Sequence, residues 1–236
     1  MKKKLWIVPI IILLVVLIAF GVYVSDYYHA DALAKTALHS DTTVAVTRTD
    51  YGWLFDGPSE DQALIFYPGA KVETSAYAPM LHALASKGID VCLLDMPFHL
   101  AFFGIGKADT VIGEDTERNW YVGGHSLGGA MAASWAAEHG DRIEGVVLLA
   151  AYPTKQLDAD LTELLIYGSE DHVLNLKKVR DGEQYAPEEY HTYIISGGNH
   201  AQFGNYGVQS GDGTALITPE EQQDETVRLI IQGLKS

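Results

Sequence analysis

The chain has 236 residues, 47% of them hydrophobic and 20% charged, with one cysteine and a formal net charge of −15. That length suits one ordinary domain with an appendage, and the composition excludes a disordered chain, a collagen and a disulfide scaffold. The acidity argues against a nucleic-acid partner, because no surplus of Lys and Arg exists to neutralise phosphates.

The first element is set by charge and hydropathy together. Lys2, Lys3 and Lys4 precede twenty uncharged residues, Leu5 to Val24. As a helix rising about 1.5 Å per residue, such a run spans the roughly 30 Å hydrocarbon core of a bilayer. A buried core helix would not need a lysine cluster before it. A cleaved signal peptide would have a shorter apolar region, with its small-residue cleavage site close behind; the nearest such site, Ala30-Asp31-Ala32, lies well past the run. A retained signal anchor over 1–24 therefore fits best. The positive-inside rule then places the N-terminus in the cytoplasm and the body outside the cell membrane, secreted if the segment is cleaved. Residues 25–41 read as a short tether and 42–236 as the folded domain.

Beyond the tether, Thr43–Thr47 and Gly52–Phe55 read as two short strands of an edge hairpin. Ala63–Tyr67 is a buried strand ending at Pro68-Gly69, and Ser75–Lys87 has helical spacing up to Gly88. Strand Val91–Asp95, a helical or irregular stretch over 98–114, strand Trp120–Gly123 and helix Leu127–His139 follow. Strands Gly145–Ala150, Leu164–Tyr167 and Tyr190–Ile195, a helix near 174–184 and a last helix Pro219–Leu234 complete the series. Short apolar runs separated by helices predict an α/β fold with a mainly parallel, doubly wound sheet of about eight strands.

The chemistry centres on Gly123-Gly124-His125-Ser126-Leu127-Gly128-Gly129. Gly124-x-Ser126-x-Gly128 is the G-x-S-x-G nucleophile elbow, a sharp strand-to-helix turn that lifts a serine hydroxyl above the sheet. Chance supplies roughly 0.1 such matches in a chain of this composition, so context decides. Here the motif follows the apolar Trp120-Tyr121-Val122 and opens the small-residue helix Ala130-Met131-Ala132-Ala133. A phosphate-cradling loop is a poorer reading, since no lysine follows the glycines as a P-loop requires.

A serine nucleophile needs a base and an orienting carboxylate, in chain order Ser, acid, His. Of the later histidines, His191 starts a strand and His172 directly follows the best acid. His200, in the Gly-rich loop Ser196–His200 after a strand, is the predicted base. Asp171, where strand Leu164–Tyr167 runs into a turn, is the predicted acid; Glu170 is the neighbouring alternative, and Asp158 and Asp160 stand at the wrong end of that strand. The oxyanion hole needs two backbone N–H groups. Leu127, the residue after the serine, supplies one, and the turn after Tyr67 supplies the other. Pro68 has no N–H, which leaves Ala70, with Lys71 second.

These segments resemble a known family. Gly124–Gly129, Gly168-Ser169-Glu170-Asp171 and Gly198-Asn199-His200 together look like an α/β-hydrolase. Tyr67-Pro68-Gly69-Ala70, Met96-Pro97-Phe98 and His200–Gly204 look more narrowly like the small bacterial hydrolases related to dienelactone hydrolase. The resemblance covers roughly 43–235 and implies an eight-stranded core with a Ser126–Asp171–His200 triad. Dienelactone hydrolases proper use a cysteine nucleophile, whereas this elbow carries serine; Cys92 lies inside a strand. Only Tyr152–Thr162 separates two strands where many relatives insert a cap, so no large cap is expected.

The resulting expectation is a membrane-anchored serine hydrolase acting on small or moderate acyl esters. Thioesterase, lactonase and acyltransferase chemistry would use the same parts, and a non-catalytic binding domain would keep the fold alone. Lys71, Phe98, Phe203 and Tyr206 are the candidate substrate contacts, with Phe102 and Phe103 beside Phe98. No cofactor is implied and no His/Cys/carboxylate spacing suggests a metal.

Overall fold

The computed structural model describes residues 7–59, 61–113 and 117–234. The lysine cluster at 2–4, residues 5–6 of the expected anchor, residue 114 of the expected stretch 98–114 and residues 235–236 of the expected domain lie outside the described residues. In chain order the elements are α1 (Ile7–Ser25), α2 (Ala32–Thr36), β1 (Ala45–Arg48), β2 (Gly52–Asp56), β3 (Gln62–Tyr67), α3 (Ala78–Ala85), β4 (Asp90–Leu94), α4 (Lys107–Ile112), β5 (Asn119–His125), α5 (Leu127–Ala136), β6 (Gly145–Leu149), β7 (Thr162–Gly168), α6 (Leu176–Gly182), β8 (Glu189–Ile195) and α7 (Pro219–Gly233).

The strands form one eight-stranded sheet in the order β1-β2-β4-β3-β5-β6-β7-β8. β1 and β2 pair antiparallel, as do β2 and β4; every later pairing is parallel. The parallel strands therefore end along one edge, where sheets of this kind hold their ligands. Alternation along β3 shows how both faces become core. Leu64 and Phe66 pack with Met80, Leu84 and Ile230 under α3 and α7, while Ala63, Ile65 and Tyr67 pack with Ala108, Ala132 and Trp135 under α4 and α5. A strand buried on both faces must be apolar throughout, which is why these segments read as unbroken runs. The expected helix at Ser75–Lys87 begins as a 3-10 turn, Thr74–Tyr77, and becomes α-helical at Ala78. Pro79, which has no N–H to donate, takes a first-turn position where none is needed.

Two features stand apart from this layering. α1 is uncharged along Val8–Ser25 and long and apolar enough to cross a membrane. Residues 25–41, expected as a tether, are instead largely folded onto the body. Tyr28 forms a parallel bridge with Val72, its N–H donating to the Lys71 carbonyl at 2.7 Å. Asp31 caps α2 by accepting the Ala34 N–H at 2.8 Å, and Ala30 and Ala34 are buried in the α3 side of the core. Alanines four apart form a narrow face that packs closely, yet they carry too little hydrophobic signal to separate this stretch from a linker.

Candidate active site

Ser126 stands alone between the end of β5 and the start of α5, with φ 54° and ψ −123°. A left-handed backbone in a side-chain-bearing residue costs on the order of 1–3 kcal/mol and persists only where the surroundings enforce it. Here they do. The Ser126 N–H donates to the Leu149 carbonyl at 2.9 Å, and its own carbonyl accepts the Ala130 N–H at 3.1 Å. The end of β3 passes directly beneath. A Cβ on Gly124 would lie 2.3 Å from the Tyr67 carbonyl oxygen, and one on Gly128 would lie 2.1 Å from the same oxygen and 2.4 Å from that of Pro68. Both flanking glycines are thus required by backbone from a neighbouring strand.

Asp171 follows β7 and meets the loop after β8. Its Oδ2 lies 2.8 Å from His200 Nδ1, and its Oδ1 accepts the N–H groups of Val173 (2.9 Å) and Leu174 (2.8 Å). Both side chains are almost wholly buried, at 0% and 2% exposure. A carboxyl group held by two backbone donors is fixed in place, so it can orient an imidazole and stabilise a positive charge on it. His200 Nε2 is buried without a hydrogen-bond partner among the described residues. His200 and Ser126 line the same cleft of about 240 Å³, walled by Leu127, Ala150, Tyr152, Val173 and Leu174.

The His200 loop is clamped by residues that sequence reasoning missed. Asp212 accepts the His200 N–H at 3.3 Å and the Ala201 N–H at 2.9 Å. Gln222, fully buried in α7, exchanges hydrogen bonds with the Asn199 backbone at 2.9 and 2.8 Å. The available signal was the pair Gln222-Gln223 on the otherwise apolar face of α7, where a buried amide must find partners.

The turn after β3 resolves its own donors by elimination. The Gly69 N–H donates to Tyr77 Oη at 3.0 Å and the Lys71 N–H to the His99 carbonyl at 2.8 Å. Ala70 keeps an N–H with no partner among the described residues, as does Leu127 at the first position of α5. Lys71, the second-choice donor, is already engaged.

His125 is a further residue whose part was not read from the motif. Its Nδ1 lies 2.9 Å from Tyr77 Oη, and its ring packs against His200 at 4.5 Å between centroids and Phe203 at 5.5 Å. Tyr77 Oη thus accepts from Gly69 and shares a second hydrogen bond with His125 Nδ1. Burial, reinforced by the neighbouring His200, holds the His125 pKa well below the usual imidazole value. A neutral ring therefore backs His200, and Gly69–Tyr77–His125 ties the Ala70 turn to the elbow. Tyr77→Phe leaves the buried Gly69 N–H and His125 Nδ1 unpaired. It is expected to lower unfolding stability by about 1–3 kcal/mol, read as an earlier urea midpoint at unchanged slope.

The model of the alpha/beta hydrolase family matches residues 63–224. The chain belongs to this family. No curated protein matches the sequence. Among solved structures, dienelactone hydrolase from Anabaena variabilis is 16% identical with a TM-score of 0.55, covering 82% of this chain and 98% of its own. Est1E from Butyrivibrio proteoclasticus is 13% identical with a TM-score of 0.57, covering 83% and 100%. A membrane phospholipase A described as a bacterial virulence factor is 12% identical with a TM-score of 0.60, and that match covers 100% of both chains. At these identities the likeness is one of fold.

The hydrolase arranges its four expected substrate contacts differently from the sequence reading. Phe203 is fully buried against His125, and Tyr206 is buried against Tyr28 and Tyr77, so both are core rather than cleft wall. Lys71 places its ammonium 3.0 Å from Asp26 and over the Tyr23 ring at 4.7 Å, engaged with the end of α1. Phe98 is 51% exposed and is not among the cleft's lining residues. The connection from β6 to β7 is irregular coil without a helix, in keeping with the absence of a large cap. Among the described residues no three His, Cys, Asp or Glu side chains are grouped to hold a metal.

Proposed function

We propose that this hydrolase is a membrane-anchored serine esterase that cleaves carboxylic esters through an acyl-enzyme. The Asp171–His200 contact carries the reading: a buried carboxylate at 2.8 Å from Nδ1 leaves Nε2 unpartnered in the cleft that also receives Ser126. His200 Nε2 takes the Ser126 proton as Oγ attacks the ester carbonyl. The N–H groups of Leu127 and Ala70 hold the oxyanion, each typically worth about 2.7–4 kcal/mol of barrier. Asp171 keeps the Nδ1–H tautomer and stabilises the imidazolium. His200 then protonates the leaving alkoxide, and water repeats the sequence on the acyl-enzyme to release the acid. The likeness in fold to Est1E and to a membrane phospholipase supports ester chemistry, and α1 with the lysines before it supports an anchor with the body outside the cytoplasm.

The test is fluorophosphonate labelling of the full chain in detergent beside Ser126→Ala. The parent is expected to label and to hydrolyse nitrophenyl acetate; Ser126→Ala is expected to do neither while melting at the parental temperature. A parent that melts cooperatively without labelling would sink the reading.

A further inference from the structure

We propose that the turn Phe98–Phe103 seats in the lipid interface beside α1, and that the site takes its acyl ester from the membrane leaflet. This rests on the anchored-esterase reading and names its substrate class, the acyl esters of glycerolipids.

Phe98, Phe102 and Phe103 are 51%, 66% and 49% exposed, three phenylalanines within one turn between β4 and α4. They pack edge-to-face on one another, with centroids 5.5 and 5.6 Å apart, and form a single apolar ridge. A ridge of this kind on a chain with 31 acidic residues calls for a covering surface. The anchor identifies it. Phe20 of α1 lies 5.3 Å from the Phe98 ring and 6.1 Å from the Phe103 ring. Phe20 stands five residues before Ser25, about 7.5 Å down the helix axis at 1.5 Å per residue. Rings in contact share a depth, so a bilayer that holds Phe20 must also hold Phe98 and Phe103. That depth matches the roughly 5–10 Å to which interfacial apolar faces bury.

The join is built on both sides. Tyr27 stacks on His99 at 4.0 Å, and Lys71 bridges Asp26 and Tyr23 just beyond Phe20. Phe98 and His99 are consecutive left-handed residues, φ 58° and 55°, a costly backbone that the Lys71 N–H holds through the His99 carbonyl. The same hydrogen bond joins the ridge to the turn carrying Ala70, and Ala101–Gly104 packs on α5, which begins at Ser126's neighbour. Ridge and reacting serine thus share one edge of the sheet, and a lipid ester rising from the leaflet reaches Ser126 alongside the anchor. In the reaction Ser126 Oγ forms a bond to the acyl carbon as the acyl–oxygen bond breaks. The lysolipid leaves with the proton from His200, and one water releases the fatty acid.

The full chain is reconstituted in phosphatidylcholine vesicles, beside Phe98→Ser/Phe102→Ser/Phe103→Ser and the single variant Phe102→Trp. Three results are expected. The parent releases fatty acid from the vesicle lipid and hydrolyses nitrophenyl acetate. The triple variant keeps the acetate rate within about twofold and loses about tenfold or more on lipid. The emission that Phe102→Trp adds to that of the parent is quenched by lipids brominated on the acyl chains. Equal loss on both substrates, parental lipid hydrolysis by the triple variant, or unquenched added emission with dimers cross-linked through the ridge would overturn the proposal. A parent that cleaves acetate but no lipid would overturn it while leaving the esterase reading intact. If neither substrate is cleaved the esterase reading fails first, and bromolipid quenching still decides whether the ridge meets lipid.

Discussion

Asp171→Asn is expected to lower kcat on nitrophenyl esters about 10⁴-fold, ~5.5 kcal/mol of barrier, with KM little changed. The hydrogen-bond pattern makes the direction unambiguous. Oδ1 of Asp171 is held by the Val173 and Leu174 N–H groups, so an asparagine keeps its carbonyl oxygen there and turns its NH₂ toward His200. An amide donor facing Nδ1 forces that nitrogen to accept, and the proton moves to Nε2. A protonated Nε2 cannot take the Ser126 proton. Because the amide replaces the carboxylate at equal volume, the melting temperature should move far less than the rate. Glu170→Gln, one residue earlier and hydrogen-bonded only to Ser169 Oγ among the described side-chain contacts, serves as the control and should retain the parental rate. A loss of under tenfold in Asp171→Asn would remove Asp171 from the orienting role.

Glu163→Gln is expected to stabilise the protein above neutrality and to leave it nearly unchanged at about pH 4. Glu163 lies in β7 between β6 and β8, 3% exposed, with Oε2 lacking a partner among the described residues. Burial in this apolar setting pushes its carboxyl up to about 7. Its folded pKa is therefore above its unfolded one, and between about 4.5 and 7 the unfolded chain binds fewer protons than the folded one. Stability contributed by the protonated carboxyl is present in full below about 4.5, lost as pH rises through about 7, and absent above it. The size is on the order of 3 kcal/mol. Glutamine imitates the protonated form at every pH, so the difference between variant and parent isolates this one group. Thermal melts should give roughly 5–10 °C in favour of Glu163→Gln at about pH 8 and close to none at about pH 4. An equal difference at both pH values would mean that the carboxyl keeps an ordinary pKa.

What could be read along the chain is what local stereochemistry dictates. Strand and helix succession followed from apolar runs and punctuating glycines, and the N-terminal helix long enough for a bilayer followed from an uncharged run. The elbow was legible because Gly124-x-Ser126-x-Gly128 is a five-residue pattern read along the chain, although the backbone that crowds both glycines belongs to the end of β3. Asp171 and His200 were legible as positions, each just past the end of a strand in a chain-order rule. The misread residues share the opposite character. Phe203 and Tyr206 lie in a loop with no period to separate inward from outward faces, and only packing on His125 and Tyr77 buries them. Lys71 finds Asp26 45 residues away, and Ala30 and Ala34 pack on a core formed by later elements. The clamps on His200, Asp212 and Gln222, carry no motif. Element order, the elbow and the residue types available for chemistry depend on neighbours along the chain, and so the amino-acid order was enough to give them. Which aromatics face the cleft, which N–H groups remain free and how α1 meets the ridge were settled by folding itself. Those outcomes depend on contacts between segments far apart in sequence, for which local pattern has no term.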